Sequence, residues 1–140
     1  MGIIIFGASG AGSTALGKEV AGRLWHWDTI IPLTVTHSPD LAVFISTPAE
    51  ICAERVRARE YARWGERVLP GGDMYKITRF HGDANDYISN AQRYETAEVS
   101  KFGRKLHEQW MAEMLCPVMR VDGTKSISEN ADCIIKKFLN

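Results

Sequence analysis

Short apolar runs alternate along the chain with longer stretches in which apolar residues recur every three or four positions. The run Ile3–Phe6 is continuous and consists of β-branched and aromatic residues, as is typical of strands buried on both faces of a parallel sheet. Leu41–Ser46 is predicted to be a second buried strand, and Val118–Val121 a third, short strand. Helical spacing fills the intervals between them, over about residues 14–25, 48–64, 74–95, 100–115 and from 126 onward. This alternation predicts an α/β protein with a parallel sheet and helices on its faces.

The helix boundaries and buried faces follow from the same pattern. A capping box is predicted at Thr47 and Glu50, on either side of Pro48, and a second one at Ser126 and Glu129. A turn is predicted at residues 70–73. The first helix should bury Leu16, Val20 and Leu24. The buried stripe of the helix over 100–115 is predicted to be Phe102, Leu106, Trp110 and Met114. That of the last helix is predicted to be Ile127, Ala131, Ile134, Ile135 and Phe138.

A glycine-rich segment directly follows the first run and consists of Gly7, Ala8, Ser9, Gly10, Ala11, Gly12, Ser13 and Thr14. Glycines let consecutive backbone N–H groups curl inward, and a helix N-terminus beside them favours phosphate. Gly7, Gly12 and Thr14 fit the pattern GxxxxGK[ST], in which the final hydroxyl binds magnesium. Ser13 stands at the lysine position, and Lys18 is about 7 Å further along the helix. The segment therefore predicts phosphate binding without the usual lysine charge.

Two other interpretations of this segment stay open. Residues 10–15 also match GxGxxA, a dinucleotide-binding pattern, and Asp28 lies at a suitable distance for a ribose contact. The four tyrosines lack a lysine four residues later, which argues against a short-chain dehydrogenase. The segment is also compatible with a tight strand–helix turn that binds no ligand.

Arginines recur at steps of four in the helix that begins near Pro48, at Arg55, Arg59 and Arg63, and Arg67 lies just beyond. Like charges at this spacing destabilise a helix by a few tenths of a kcal/mol per pair. Their planar guanidinium groups suit phosphate oxygens, which favours a phosphate clamp. The competing interpretation is a solvated face, eased by nearby glutamates.

Composition limits the function classes. The 140 residues suit one domain, and 17 basic against 17 acidic residues produce no net field for nucleic acid or an anionic membrane. Three cysteines without CxxC spacing indicate reduced thiols and a cytoplasmic location. The first apolar run is too short to span a bilayer and lacks the basic segment of a signal peptide.

Taken together, three segments resemble the P-loop kinases of the nucleoside-monophosphate kinase type, including adenylate kinase and shikimate kinase. These segments are Ile3–Ala21, Asp40–Tyr75 and the LHEQW…CPVMRVDG stretch with its closing helix, and they cover most of the chain. The chain is also similar to bacterial proteins labelled adenylate kinase or AAA-family ATPase, which carry a hydroxyl residue at the position of Ser13.

This resemblance implies a three-layer P-loop fold over residues 1–140, with helices on both faces of the sheet and a lid at about 55–75. It implies that Gly7–Thr14 bind the phosphates of ATP, with Thr14 on Mg²⁺. Arg59, Arg63 and Arg67 would stabilise the phosphoryl group as it moves to a small-molecule or nucleoside-monophosphate acceptor. Asp122, Gly123 and Lys125 would border the adenine. The alternative is a catalytically defective module that binds nucleotide without transferring phosphate.

The chain departs from these kinases in its middle. Twelve residues separate Asp28 from Leu41, whereas the kinases have two further strand–helix units there, and one such unit takes about 30 residues. Asp28 is either a remnant that contacts the acceptor or magnesium, or an ordinary surface residue. The shortening predicts about three strands, with Ile30–Val35 as a substitute strand or a homodimer through the exposed sheet edge.

Overall fold

The computed structural model describes residues 2–25, 39–76, 93–96 and 103–140. The expectations for Asp28, Ile30–Val35, Phe102 and most of the helix over 74–95 lie outside these residues.

The described strands form one parallel sheet in the order β1 (Ile3–Gly7), β2 (Leu41–Ser46) and β3 (Val118–Asp122). Ile3 lies opposite Leu41, and Ala42 lies opposite Val118. Residues 41–45 of the central strand are at most 3% exposed, which explains why that run is apolar without alternation. The described residues confirm the predicted α/β class, the parallel pairing and the three strands.

The chain forms two compact units, and the first contains the sheet together with α1 (Ser13–Trp25) and α4 (Ile127–Leu139). The two helices pack on each other, α1 against β1 and α4 against β3. Leu16, Val20 and Ile134 are at most 2% exposed, as their spacing predicts, whereas Ile127 is exposed. Arg23 bridges the helices by donating to Asp132 at 2.6 Å and to Ser128 at 3.0 Å.

The second unit contains Ala8–Ala11, α2 (Ala49–Trp64), a 3₁₀ turn (Gly65–Val68) and the segment 93–96. The buried face of α2 is formed by Cys52, Ala53, Val56 and Glu60. The helix ends where predicted, before Gly65 at a φ of 59°. The predicted turn at 70–73 is present, with Gly72 donating its backbone N–H to Leu69 at 2.9 Å.

The cap predicted for α4 is confirmed, and the one predicted for α2 is wrong. Ser126 and Glu129 form both hydrogen bonds of a capping box. The residue that caps α2 is Pro48, with no side-chain bond, and the Thr47 hydroxyl donates instead to the carbonyl of Ala11 at 3.4 Å. Thr47 is only 3% exposed, so its hydroxyl is used in a buried tertiary contact and not in capping the helix.

The predicted buried face of α3 (Arg104–Glu113) is wrong at Trp110, whereas Leu106 and Met114 are half-buried. His107 and Met111 are buried, whereas Trp110, one residue earlier than Met111, is 43% exposed. One residue rotates a helix by about 100°, so the buried stripe lies beside the predicted one. The buried face carries a polar contact, in which the Tyr94 hydroxyl lies 2.5 Å from Nδ1 of His107.

No helix among the described residues is long and apolar enough to cross a membrane.

Candidate functional site

The carboxyl ends of the three strands meet at one edge of the sheet. Gly7 lies opposite Ile45, and Ser46 lies opposite Asp122. Two strand spacings separate the ends of β1 and β3, or about 10 Å. The glycine segment and the Asp122 loop therefore leave the sheet from the same edge, where open α/β sheets usually bind ligands.

The glycine segment is shaped by two residues in the left-handed region. Gly10 has a φ of 86° and Gly12 a φ of 101°, values that side-chain-bearing residues rarely adopt. Between them, Ala11 donates its N–H to the carbonyl of Ala8 at 2.9 Å and closes a turn. Such a backbone can direct consecutive N–H groups toward one anion.

The segment continues into the N-terminus of α1 at Ser13. Leu16 donates its N–H to the carbonyl of Gly12 at 3.0 Å, which fixes the first helical turn. The N–H groups of Ser13, Thr14 and Ala15 lie in the first turn of the helix, where no carbonyl of the same helix is placed to accept from them. Thr14 is exposed, so its hydroxyl is accessible from solvent.

Within the second unit, the turn Ala8–Ala11 packs against the first turns of α2. A Cβ on Gly10 would clash with the carbonyl oxygen of Cys52, so the two backbones touch there. The Ala11 carbonyl accepts from Thr47 at 3.4 Å and from Nη1 of Arg55 at 3.5 Å. Sequence reasoning missed Thr47 and Cys52 as residues that shape the loop. The feature of the sequence that could have indicated Thr47 is its position as a small polar residue between a buried strand and a proline.

Cys52 is a packing residue and not a nucleophile. Its side chain is fully buried, and burial raises the pKa of its thiol. A thiol held neutral at physiological pH is a weak nucleophile.

The predicted adenine-binding residues lie in a compact loop after β3. The carboxylate of Asp122 accepts from the N–H of Thr124 at 2.8 Å and from its hydroxyl at 2.7 Å. These bonds from Thr124 hold the pKa of Asp122 below its usual range. Gly123 is buried and donates its N–H to Ser46 at 2.8 Å, whereas Lys125 is exposed. Asn130 anchors the loop by donating to the Asp122 carbonyl at 2.8 Å.

The three predicted lid arginines contact carboxylates. Arg59 and Arg63 approach Glu60, at 3.2 and 3.5 Å, and Arg67 donates to both oxygens of Asp73 at 2.9 and 2.6 Å. Arg55, on the same helix, reaches the Ala8–Ala11 turn. Sequence periodicity placed Arg59 and Arg63 on one helix and Arg67 just beyond it. The alternative of a solvated face eased by glutamates included Glu60, whereas the contact of Arg67 with Asp73 was not predicted.

The chemistry of Thr14 suits magnesium. Mg²⁺ takes oxygen ligands and keeps several waters, and the exposed Thr14 hydroxyl offers one such oxygen. Among the described residues, no three His, Cys, Asp or Glu side chains gather to hold a metal without phosphate.

Comparison with known proteins leaves the family open. No family model matches the chain, and no solved structure matches it significantly. The chain is 35% identical over 96 residues to the "Uncharacterized protein YqaC" of Bacillus subtilis (strain 168). The match covers 69% of this chain and 51% of that protein, so the chain spans about half the length of the curated relative it matches.

Proposed function

We propose that the chain binds the phosphates of Mg²⁺-ATP on Gly7–Thr14 and transfers the γ-phosphoryl group to a small acceptor, as a shortened P-loop kinase. The observation that supports it most is the path of the chain from β1 through two left-handed glycines into the N-terminus of α1, at the carboxyl edge of a parallel sheet. The three-layer P-loop fold is part of this proposal.

Each part of the site would then have a physical task. The loop N–H groups and the positive end of α1 would hold the phosphate oxygens. Bound Mg²⁺, held by the Thr14 hydroxyl, would neutralise charge between the phosphates. The loop that contains Asp122, Gly123 and Lys125 leaves the same sheet edge and would border the adenine.

The transfer would form a bond from the acceptor oxygen to the γ-phosphorus while the bond to the β–γ bridging oxygen breaks. The products would be ADP and the phosphorylated acceptor, and the proton of the acceptor would leave to water. Catalysis of this kind rests mostly on positioning and charge stabilisation, which an arginine of α2 would supply.

A binding module without transfer activity is the second candidate. Two observations favour it: the lysine position is Ser13, and Arg59, Arg63 and Arg67 all contact carboxylates. Serine donates a hydrogen bond but contributes no positive charge to a developing transition state. Both candidates require nucleotide binding, and turnover with a suitable acceptor would separate them.

The test is a thermal melt with and without Mg²⁺-ATP, on the wild type and on Ser13→Lys. Ligand at a hundred times its Kd should stabilise the protein by about 2.7 kcal/mol, which raises the Tm by roughly 5–11 °C in a domain of this size. Ser13→Lys restores the missing charge and should lower the Kd about tenfold.

Gln109→Lys adds the same charge on the exposed surface of α3 and is the matched control. Its Kd should equal that of the wild type. A cooperative melt that Mg²⁺-ATP leaves unchanged would contradict the proposal. A rise with NADH instead would support the dinucleotide interpretation of residues 10–15.

A further inference from the structure

The turn Ala8–Ala11 is held at the start of α2 through the carbonyl of Ala11. Ala11 is only 3% exposed, and a carbonyl buried in this way needs a hydrogen-bond donor. The Thr47 hydroxyl donates to the Ala11 oxygen at 3.4 Å, and Nη1 of Arg55 donates to it at 3.5 Å. Both distances lie at the long end for hydrogen bonds, so the oxygen depends on the two donors together.

Thr47 is itself fixed in place by its surroundings. It is 3% exposed, and its backbone carbonyl accepts from the Cys52 thiol at 3.8 Å. The backbone carbonyl of Cys52 in turn lies against Gly10. The turn therefore has two attachments within the second unit, a backbone contact at Gly10 and a hydrogen-bonded carbonyl at Ala11.

The attachment at Ala11 decides which way a neighbouring N–H group points. A peptide bond is planar and trans, so a carbonyl directed toward Thr47 turns the N–H of the next residue, Gly12, to the opposite side. Ser9 and Gly10 are half-buried, and no residue that the structure describes accepts from their N–H groups. Holding the Ala11 carbonyl thus keeps N–H groups, and not a carbonyl oxygen, available to an anion.

We propose that Thr47 and Arg55 are positioning residues of the phosphate loop, which hold the Ala11 carbonyl and so keep the loop N–H groups arranged for an anion. This inference rests on the proposed function. A loop that is ordered before the ligand arrives loses less conformational entropy on binding. The two donors should therefore raise the affinity for phosphate without touching the nucleotide.

Two measurements on the full chain test this role. Calorimetry with Mg²⁺-ATP, well below the Tm of every variant, measures the Kd of the folded protein. Amide hydrogen exchange without ligand, followed by NMR, measures how firmly the turn is closed, because the Ala11 N–H donates to the carbonyl of Ala8 at 2.9 Å. A residue that only stabilises the fold changes the Tm and leaves the Kd of the folded protein unchanged.

Thr47→Val removes the hydroxyl and nearly keeps the shape of the side chain. It should weaken Mg²⁺-ATP binding about tenfold and speed exchange of the Ala11 amide about tenfold, as the loss of one hydrogen bond implies. Thr47→Ser keeps a hydroxyl and should bring both values within about threefold of the wild type. Thr96→Val is the matched control and should change neither value, because the exposed Thr96 hydroxyl also donates to a backbone carbonyl, that of Arg93, at 3.4 Å.

Arg55→Gln should weaken binding and speed exchange by about three- to tenfold, and it provides the same test if Thr47→Val does not fold. Arg57→Gln removes the same charge from an exposed position of α2 and should change neither value. Weaker binding in Arg55→Gln with unchanged exchange would assign its guanidinium to the ligand itself and overturn its positioning role.

Failure of the inference and failure of the proposed function look different. If the wild type binds Mg²⁺-ATP and Thr47→Val binds it equally well, the inference is overturned while the proposed function stands. If the folded wild type does not bind Mg²⁺-ATP, the proposed function is overturned, and the exchange of the Ala11 amide alone then shows whether Thr47 holds the turn.

Discussion

At the scale of single residues, the two left-handed glycines of the loop are required for different reasons. Gly12 has a positive φ but open space around its Cβ position, whereas Gly10 has a positive φ and also touches the Cys52 carbonyl. A side chain at Gly12 strains only the backbone. A side chain at Gly10 both strains the backbone and forces the loop away from α2.

Gly10→Ala should therefore lower the free energy of unfolding by about 2 kcal/mol or more, and Gly12→Ala by less. Gly22→Ala is the matched control, because Gly22 lies in α1 with nothing within 4 Å of its Cβ position. It should raise stability by about 0.5–1 kcal/mol through helix propensity. Urea denaturation measures all three, and a Gly10→Ala protein as stable as the wild type would contradict this close packing.

At the scale of elements, the buried face of α3 includes a polar contact that the spacing of its apolar residues does not indicate. His107 and Tyr94 form a buried pair, and Arg104 donates to both carboxylate oxygens of Glu95, at 2.6 and 2.8 Å. The residue spacing of α3 also offers an apolar stripe through Trp110, which is exposed. The predicted stripe was based on the largest hydrophobic residues, whereas the observed buried face contains His107, which contacts Tyr94.

The buried pair should make stability depend on pH. Burial first, and then the positive charge of Arg104, lower the pKa of His107 below its usual 6.5, despite the opposing charge of Glu108. The stability contributed by neutral His107 is complete above pH 6.5 and is lost as the pH falls toward the folded-state pKa. The wild type should thus lose stability relative to His107→Gln as the pH falls below 6.5.

Urea denaturation of both proteins over this pH range measures that difference. Both proteins have the same carboxylates, so the effect of their titration cancels when the two free energies of unfolding are subtracted. A difference that stays constant with pH would show that His107 has the same pKa in the folded and unfolded states.

At the scale of the whole molecule, the described sheet places β2 in the centre, and β1 has β2 as its described neighbour. The side chains of β1 are half-buried, in contrast to those of β2. A strand with one open edge can pair with residues 30–35 of the same chain or with a second copy.

If the second copy covers the edge, the mass measured by light scattering after size-exclusion chromatography should be that of a dimer and should fall on dilution. If residues 30–35 cover it, the chain should be a monomer whose amides in that segment exchange slowly with deuterium. A stable monomer with fast exchange there would contradict both forms of the prediction.

The sequence by itself determined the three strands, their parallel pairing, the end of α2 and the capping box of α4. These depend on the period of apolar residues and on local backbone chemistry, which neighbouring residues specify. Only the tertiary structure decided that Thr47 bonds to Ala11, that His107 of α3 contacts Tyr94, and that buried Glu60 has two arginines beside one carboxylate oxygen. In each of these contacts a polar group meets a partner that is distant in sequence or buried with it. Tertiary packing determines which partner is within reach, and residue spacing alone does not indicate it.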